Sequence, residues 1–340
     1  MRGFLMLAIW LCSLAFLVSS ASVEIKSRGQ SIRRSKPGRM PVIGILTMPL
    51  TSEDGQMLKD ISFIDTSYVK FLHGGGATVV PILFNSTAEQ IQEQVLQLDG
   101  VFFTGGAAKP TSFPLWYETA QLIYKHVMDQ GKTLWGTCLG FQTITDIAAD
   151  QGMEGVLGDY PAVNVALSLN FTDYGANQSQ MFSQLPVPIR NLFSEKALTE
   201  NWHNYGVSLG TFRQFLEPKG FRIVSTNVDT NGVEFVSTFE HETAHIYATQ
   251  WHPEANQYDP DPKGEAHIVH SMEATTAMSF LANFLIQSAR NTMHTDAARK
   301  PKTQTHNLQG HQSDLQNAIE NYPVRAVITE DDTAFQYIFQ

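Results

Sequence analysis

The chain has 340 residues, of which 43% are hydrophobic, enough for one large α/β domain or two small ones with a full core. Its 33 acidic residues outnumber its 23 basic residues, and the formal net charge at pH 7 is −10. This charge argues against a protein that binds the phosphate backbone of nucleic acids, because such a protein needs a basic surface. It does not exclude a small anionic substrate, which a few local hydrogen-bond donors can bind.

The N-terminus has the order of a secretory signal peptide: Arg2, an apolar run over residues 4–18, and small residues at 19–22. The run is shorter than the roughly 20 apolar residues that span a bilayer, so we expect cleavage near Ala21 rather than a membrane anchor. We therefore predict a signal peptide at residues 1–21 and a flexible basic leader at 22–40. No other segment is apolar enough to cross a membrane.

The cysteines and the glycosylation sequons agree with secretion. Of the two cysteines, Cys12 lies in the predicted signal peptide, so the mature protein would keep Cys138 alone. An unpaired thiol in an oxidising compartment is either reactive or buried and inert. Sequons at Asn85, Asn170 and Asn177 support a glycosylated secretory protein.

Short apolar runs and amphipathic segments alternate from Pro41 onward. The pattern predicts buried strands at residues 42–47, 77–82, 100–103 and 133–135. It predicts helices at residues 61–72, 87–98, 116–128 and 141–149. This alternation is typical of an open, mostly parallel sheet, in which functional sites lie beyond the carboxyl ends of the strands.

The second half of the chain is less regular. Residues 220–225 and 232–237 indicate a hairpin around the turn at 229–232, and residues 244–251 indicate a further strand. A helix is predicted at residues 274–289, and the chain beyond it is polar until an apolar end at 334–339. We therefore predict one domain over residues 41–290 and a C-terminal tail over 291–340.

Cys138 lies in the segment Gly136-Thr137-Cys138-Leu139-Gly140, between a predicted strand and a predicted helix. This is the cysteine counterpart of the Gly-x-Ser-x-Gly nucleophile elbow, in which glycines relieve the crowding of a tight turn. The helix that follows directs its N-terminus at the sulfur, which favours a thiolate. The main-chain N–H after the nucleophile points to where an oxyanion would form. The segment therefore predicts a catalytic cysteine.

A cysteine nucleophile needs a base, and His252 lies at the end of a predicted strand with Glu254 two residues later. In an extended segment these two side chains share a face, so Glu254 would orient the imidazole and stabilise its charged form. Alone, a His-Pro-Glu segment is more often ordinary surface. Together with the elbow and the lone cysteine, it predicts a triad of Cys138, His252 and Glu254.

These two motifs, at residues 136–140 and 250–254, resemble those of the class I glutamine amidotransferase family over about residues 41–290. More narrowly, the chain is similar to the γ-glutamyl hydrolases. The similarity rests on segments that agree in order, at residues 67–70, 103–106, 169–172, 199–203, 226–229 and 337–339. The resemblance implies an α/β three-layer sandwich with a mostly parallel central sheet, flavodoxin-like in type.

The resemblance implies hydrolysis of γ-linked glutamyl chains, chiefly folylpoly-γ-glutamates, through a thioester at Cys138. His252 would protonate the leaving amine and then activate water, while Glu254 would orient it. Main-chain N–H groups of Gly106 and Leu139 would hold the oxyanion. The family further implies no metal or organic cofactor, a homodimer, and a lysosomal, vacuolar or extracellular location.

The substrate site implied by the resemblance includes Tyr68, Gly105, Gln142 and His203. Gln142 departs from the family, which often has an acidic residue there, and this puts the finer substrate preference in doubt. From the residues alone, Tyr68 also fits core packing and His203 also fits a structural role among aromatic side chains.

Four alternatives use other features of the chain. A glutaminase subunit, a cysteine peptidase with another substrate, and an inactive binding protein would all share the fold. The fourth is a zinc peptidase, because His241-Glu242-Thr243-Ala244-His245 matches the His-Glu-x-x-His pattern. That chemistry requires a helix, whereas this segment leads directly into a predicted strand. We therefore expect no metal there.

Overall fold

The computed structural model describes residues 39–51, 57–108, 111–259, 267–299, 324–328 and 333–339. The predicted signal peptide, Cys12 and nearly all of the predicted leader lie outside these residues. Within the described ranges, no helix is long and apolar enough to cross a membrane.

The described residues form strands and helices in alternation. In chain order the strands are β1 (Val42–Leu46), β2 (Met48–Thr51), β3 (Met57–Asp65), β4 (Thr78–Ile82), β5 (Gly100–Phe103), β6 (Thr133–Thr137), β7 (Gly158–Leu167), β8 (Asn170–Phe171), β9 (Thr199–Gly206), β10 (Phe221–Val228), β11 (Glu234–His241), β12 (Ile246–Thr249), β13 (Val324–Ile328) and β14 (Thr333–Phe339). The helices are α1 (Thr66–Gly74), α2 (Ala88–Gln97), α3 (Pro114–Gln130), α4 (Leu139–Ala149), α5 (Met153–Val156), α6 (Asp173–Asn177), α7 (Val187–Glu195), α8 (Leu209–Phe215), α9 (Ala255–Tyr258) and α10 (Met272–Arg299).

The central sheet has eight strands in the order β4-β1-β5-β6-β12-β11-β10-β8. The first five are parallel neighbours, and the remaining three continue the sheet antiparallel. Numbered along the chain, the five parallel strands have the order 2-1-3-4-5 of flavodoxin-like folds. The predicted α/β fold with a mostly parallel sheet is therefore confirmed.

Helices cover both faces of this sheet. Alternate side chains of β1 show how the layers divide, because successive residues of a strand point to opposite faces. Val42 and Leu46 join the cluster with the apolar sides of α2, α3 and α4, whereas Ile43 and Ile45 join the cluster with α1, α7 and α10. All five residues of β1 are buried, as is typical of parallel strands covered on both sides. The three-layer arrangement is thus also confirmed.

The predicted hairpin is present as β10 and β11, which pair antiparallel up to Val228 and Glu234. Its turn is held by Asp229, whose Oδ1 accepts hydrogen bonds from the N–H groups of Asn231 at 2.9 Å and Val233 at 2.8 Å. Gly232 has φ 82°, a left-handed conformation that glycine adopts at little cost. The turn chemistry of the sequence therefore sets the register of this pair.

The predicted helix at residues 61–72 is wrong in its first half. The chain is extended through Asp65, and α1 begins only at Thr66. Strand β3 pairs antiparallel with β2 on one side and with β14 on the other, in a second sheet of order β13-β14-β3-β2. Pairing with a strand from the far end of the chain overrides the local helical spacing.

Part of the predicted C-terminal tail belongs to this second sheet. Ile338 pairs with Phe63 and Phe339 with Ser62, and both apolar side chains are buried. Gln336 donates a hydrogen bond from Nε2 to Asp65 Oδ1 at 2.8 Å. The end of the chain therefore lies beside the start of α1, the helix that carries Tyr68.

Gly140 generates a first prediction, because a Cβ there would lie 2.3 Å from the carbonyl oxygen of Phe103. Gly140→Ala should force α4 away from β5 and destabilise the protein by about 1–3 kcal/mol. Denaturant unfolding at equilibrium measures the change. Gly210→Ala is the matched control, since its Cβ would meet only Ser208 Oγ at 3.7 Å. Equal stability of the two variants would contradict the prediction.

Candidate active site

Cys138 occupies a sharp turn between β6 and α4. Its backbone has φ 53° and ψ −103°, an unfavourable conformation for a residue with a side chain. Two hydrogen bonds hold the turn on either side: Cys138 N–H to the Thr249 carbonyl at 2.8 Å, and Gly140 N–H to the Thr104 carbonyl at 3.0 Å. The thiol is 6% exposed at the carboxyl end of the parallel strands. The predicted elbow is therefore present.

His252 and Glu254 follow β12, the strand next to β6. Glu254 Oε1 lies 2.7 Å from His252 Nδ1, and the Glu254 carboxylate is almost completely buried. Because Nδ1 is bound by the carboxylate, Nε2 is the nitrogen left to face other groups, and the ring makes a side-chain hydrogen bond with Cys138. The structure thus brings the predicted base and orienting residues into contact.

The charge of His252 is set by opposing effects. Burial acts to lower the pKa of the imidazole, but the Glu254 carboxylate and the Cys138 sulfur outweigh it and hold the pKa well above 6.5. The site therefore favours an imidazolium beside the thiol, which is the form that can donate a proton.

Gly105 lies where these side chains converge. A Cβ at this position would be 2.6 Å from Tyr68 Oη, 2.8 Å from His252 Cε1 and 3.4 Å from Cys138 Cβ. Only glycine fits at this point without displacing them. The Gly105 N–H donates a hydrogen bond to Tyr68 Oη at 2.9 Å.

Tyr68 is on α1, and its hydroxyl lies 3.4 Å from His252 Nδ1. Burial, followed by the negative charge of Glu254, raises the pKa of Tyr68 well above 10, so the phenol stays neutral. The ring also packs on Phe102, with centroids 5.7 Å apart. Tyr68 therefore combines core packing with a polar contact to the imidazole.

Gly106 and Leu139 are neighbours beside the thiol. A Cβ on Gly106 would lie 3.6 Å from Leu139 Cδ2, and Leu139 is the first residue of α4. Gly106 is exposed, so this edge of the site is open to solvent.

His203 comes from β9, which pairs with β7 in a separate two-stranded sheet. The carbonyl oxygen of the preceding residue, Trp202, lies 3.9 Å from Cys138 Sγ. His203 itself is 4% exposed, its Nε2 lies 3.3 Å from Asn201 Oδ1, and its ring stands edge-on to Phe235. Burial, aided by the charge of His252, lowers the pKa of His203 to about 4, so it is a neutral imidazole.

Comparison with known proteins identifies the family. The family described as "Glutamine amidotransferase class-I" matches residues 65–272. The chain therefore belongs to the class I glutamine amidotransferase family. It is 34% identical to gamma-glutamyl hydrolase B of Dictyostelium discoideum over 75% of this chain and 73% of that protein.

Two further relatives carry the same description. Gamma-glutamyl hydrolase 1 of Arabidopsis thaliana is 30% identical over 76% of this chain and 75% of its own length. Gamma-glutamyl hydrolase of Homo sapiens is 30% identical over 84% of this chain and 87% of its own length. The recognised similarity to the γ-glutamyl hydrolases of this amidotransferase family is thereby confirmed.

Gln142, which lies on α4 one turn after Cys138, makes contacts within the protein. Its Nε2 donates to the Tyr205 carbonyl at 2.9 Å and lies 3.5 Å from Gln250 Oε1. The side chain therefore joins α4 to β9 beside the candidate active site, and 7% of it is exposed.

Sequence analysis assigned no role to two acidic residues that lie near the site. Burial raises the pKa of Glu200, on β9, to about 7 and that of Asp259, just after α9, to about 6. Glu200 lies in a run of four buried residues, Leu198 to Asn201, and the polar sequence of this run gave no indication that the acid is buried.

The His-Glu-x-x-His segment is not helical in this chain. His241 ends β11, and His245 lies just before β12 with bends between them. His241 Nδ1 accepts hydrogen bonds from the N–H groups of Thr243 and Ala244, so it serves the turn. Within the described part of the chain, no group of three or more His, Cys, Asp or Glu residues is arranged to hold a metal.

Glu254 generates a prediction about charge. Glu254→Gln should lower the pKa of His252 by at least about one pH unit, because burial then acts with less opposition from a neighbouring charge. Titration of the ring by NMR in isotopically labelled protein measures this directly. Glu234→Gln, an exposed acid of β11, is the control. A His252 titration that is the same in both variants would show that Glu254 does not set it.

Proposed function

We propose that the chain is a cysteine hydrolase that cleaves γ-glutamyl amide bonds, with folylpoly-γ-glutamates as its main substrates. The observation that carries the proposal is the contact of His252 with Glu254 beside the thiol of Cys138. The relatives named gamma-glutamyl hydrolase support the substrate class, since they match most of this chain.

In the proposed first step, the Cys138 thiol proton resides on His252, and the thiolate sulfur attacks the γ-carbonyl carbon and forms a carbon–sulfur bond. The carbonyl oxygen becomes an oxyanion, for which the main-chain N–H groups of Gly106 and Leu139 would be the donors. The carbon–nitrogen bond then breaks, and the His252 imidazolium gives its proton to the leaving amine. The products of this step are the released amine and a thioester.

In the proposed second step, water attacks the thioester while His252 accepts one of its protons. The carbon–sulfur bond breaks, which restores the thiolate beside the imidazolium, and the γ-carboxylic acid gives its remaining proton to solvent as it leaves. Glu254 keeps the imidazole oriented and compensates its charge in both steps. This proposal accounts for a histidine held in its charged form.

The proposed substrate site surrounds the thiol. Tyr68 would approach the glutamyl group through a hydroxyl already fixed by Gly105. His203, a neutral imidazole on β9, would contact the substrate from that strand. Gln142, on α4, would contact it from beside β9, where its side chain donates a hydrogen bond to the Tyr205 carbonyl. Trp202, which is 45% exposed next to His203, offers an apolar surface for the rest of the substrate.

The activity predicts that Cys138→Ala removes hydrolysis. Wild type should release glutamate from a folate with a short γ-glutamyl chain, whereas the variant should lose at least about a thousandfold in rate because no thioester forms. Glutamate release at acidic and neutral pH is the measurement. Thermal unfolding of both proteins is the control. Release by a folded Cys138→Ala variant would refute the proposed nucleophile.

We further propose that the protein follows the secretory route, to a lysosome or vacuole or to the extracellular space, as a glycosylated homodimer. Exposure of all three sequon asparagines supports glycosylation. The Asn177 side chain bonds only its own turn, through Nδ2 to the Asp173 carbonyl at 3.1 Å.

Expression in a eukaryotic secretory host tests the glycosylation. Wild type should lose apparent mass on treatment with an N-glycan-cleaving enzyme, because all three asparagines are accessible. Variants with Asn85, Asn170 or Asn177 replaced by Gln should each lose one step of that shift. Unchanged mobility of wild type after treatment would contradict the secretory proposal.

A further inference from the structure

Glu200 is buried in a way that the fold does not explain. It is 0% exposed, and of the described residues Trp202 provides a side-chain hydrogen bond to its carboxylate. Glu240, on β11, is equally buried, but it accepts hydrogen bonds from the hydroxyls of Tyr174 and Ser179 and from two main-chain N–H groups. Burying a carboxylate with fewer partners than Glu240 costs more desolvation free energy, and a nearby positive charge would offset that cost.

The main chain pairs Glu200 with His252. The His252 N–H donates to the Glu200 carbonyl at 2.8 Å, and the two residues form an antiparallel bridge. Residues directly opposite in such a bridge present their side chains on the same face, with Cβ atoms about 5 Å apart. On its other side Glu200 pairs with Ala166 of β7, which carries no charge. The carboxylate therefore lies beside the imidazole.

The ionisable groups around this pair are few. Burial raises the pKa of Glu200 to about 7 against the opposing effects of His252, the Trp202 side chain and His267, while Asp259 adds to the rise. Around His252 lie Glu254, Cys138 and the neutral Tyr68 and, at a distance where its charge still acts on their pKa values, neutral His203 and Asp259. Glu200 thus adds a second carboxylate to the imidazole, from a different strand than Glu254.

We propose that Glu200 is a positioning residue that stabilises the imidazolium form of His252 from the opposite strand. The inference rests on the proposed function, in which this imidazolium protonates the leaving amine. Above neutral pH the ionised carboxylate attracts the imidazolium. Below neutral pH Glu200 is a neutral carboxylic acid and adds no charge. The effect is therefore confined to the alkaline side of the pH profile.

Glu200→Gln is the sharpest test, because an amide has nearly the shape of the neutral acid. The ratio kcat/KM for glutamate release, measured from pH 5 to pH 9, should match wild type at acidic pH. On the alkaline limb, kcat/KM of the variant should fall at a pH about one unit lower than in wild type. At a fixed alkaline pH this is about a tenfold lower kcat/KM. Glu195→Gln, an exposed acid of α7, is the matched control and should follow wild type throughout.

Thermal unfolding separates this role from a structural one. The pKa of Glu200 is raised from 4.5 to about 7 on folding, so the folded state binds the extra proton and wild type loses stability as the pH rises through this interval. Glu200→Gln should therefore unfold at or above the wild-type temperature at pH 8. Loss of folding, or equal loss of activity at every pH, would overturn the proposal, as would identical pH profiles.

Titration of the His252 ring by NMR measures the effect of Glu200 on the pKa of His252 without requiring enzyme activity. Glu200→Gln should lower the pKa of His252 whether or not glutamate is released. If wild type released no glutamate but the pKa fell, the proposed function would fail and the positioning role would stand. An unchanged pKa of His252 would overturn the positioning role even in an active enzyme.

Discussion

The candidate site depends on one strained turn, in which Cys138 adopts φ 53° between β6 and α4. Such a conformation costs about 1–3 kcal/mol and persists only where surrounding contacts determine it. Here the neighbouring strands supply them: the Thr249 carbonyl from β12 binds the Cys138 N–H, and the Thr104 carbonyl after β5 binds the Gly140 N–H. The close approach of α4 to β5 leaves no room for a Cβ on Gly140. The parallel core therefore holds the thiol in place.

The second constraint is electrostatic. An imidazole buried beside a thiol would be neutral if burial alone acted, and the site opposes this with the carboxylate of Glu254. Glu254 is itself almost fully buried, so each of the two groups makes the charge of the other tolerable. Asp259 lies close enough for the charges of Glu254 and His252 to affect its pKa. The charged groups of the site are thus coupled, and replacing one changes the titration of its neighbours.

Much of the fold and part of the candidate site could be predicted from the sequence, because their signals are local. Contacts between residues far apart in the chain could not be predicted. The strands β1, β4, β5 and β6 are buried on both faces, so their apolar runs are visible locally. The elbow follows β6, and the His-Pro-Glu segment follows β12, which is buried in the same way. Strand β3 could not be predicted, because its partner β14 comes from the other end of the chain. The contacts of Gln142 were equally hidden, since its partner Tyr205 lies on β9.

The electrostatic role of Glu200 could not be predicted from the sequence either. Its sequence neighbourhood, Thr199 to His203, indicated a segment typical of γ-glutamyl hydrolases but gave the acid no role. Only the bridge between Glu200 of β9 and His252 brings these two residues together.

The two carboxylates near the imidazole, Glu254 and Glu200, act on it in different ways. Glu254 holds Nδ1 by a short hydrogen bond and orients the ring, whereas Glu200 has no such contact and acts only through its charge. Glu254 therefore contributes orientation through its hydrogen bond, while the additional charge of Glu200 becomes available only as Glu200 titrates near neutrality. The proposed hydrolase would in this way keep its imidazolium to higher pH through a second carboxylate that acts on the charge of His252 from the opposite strand.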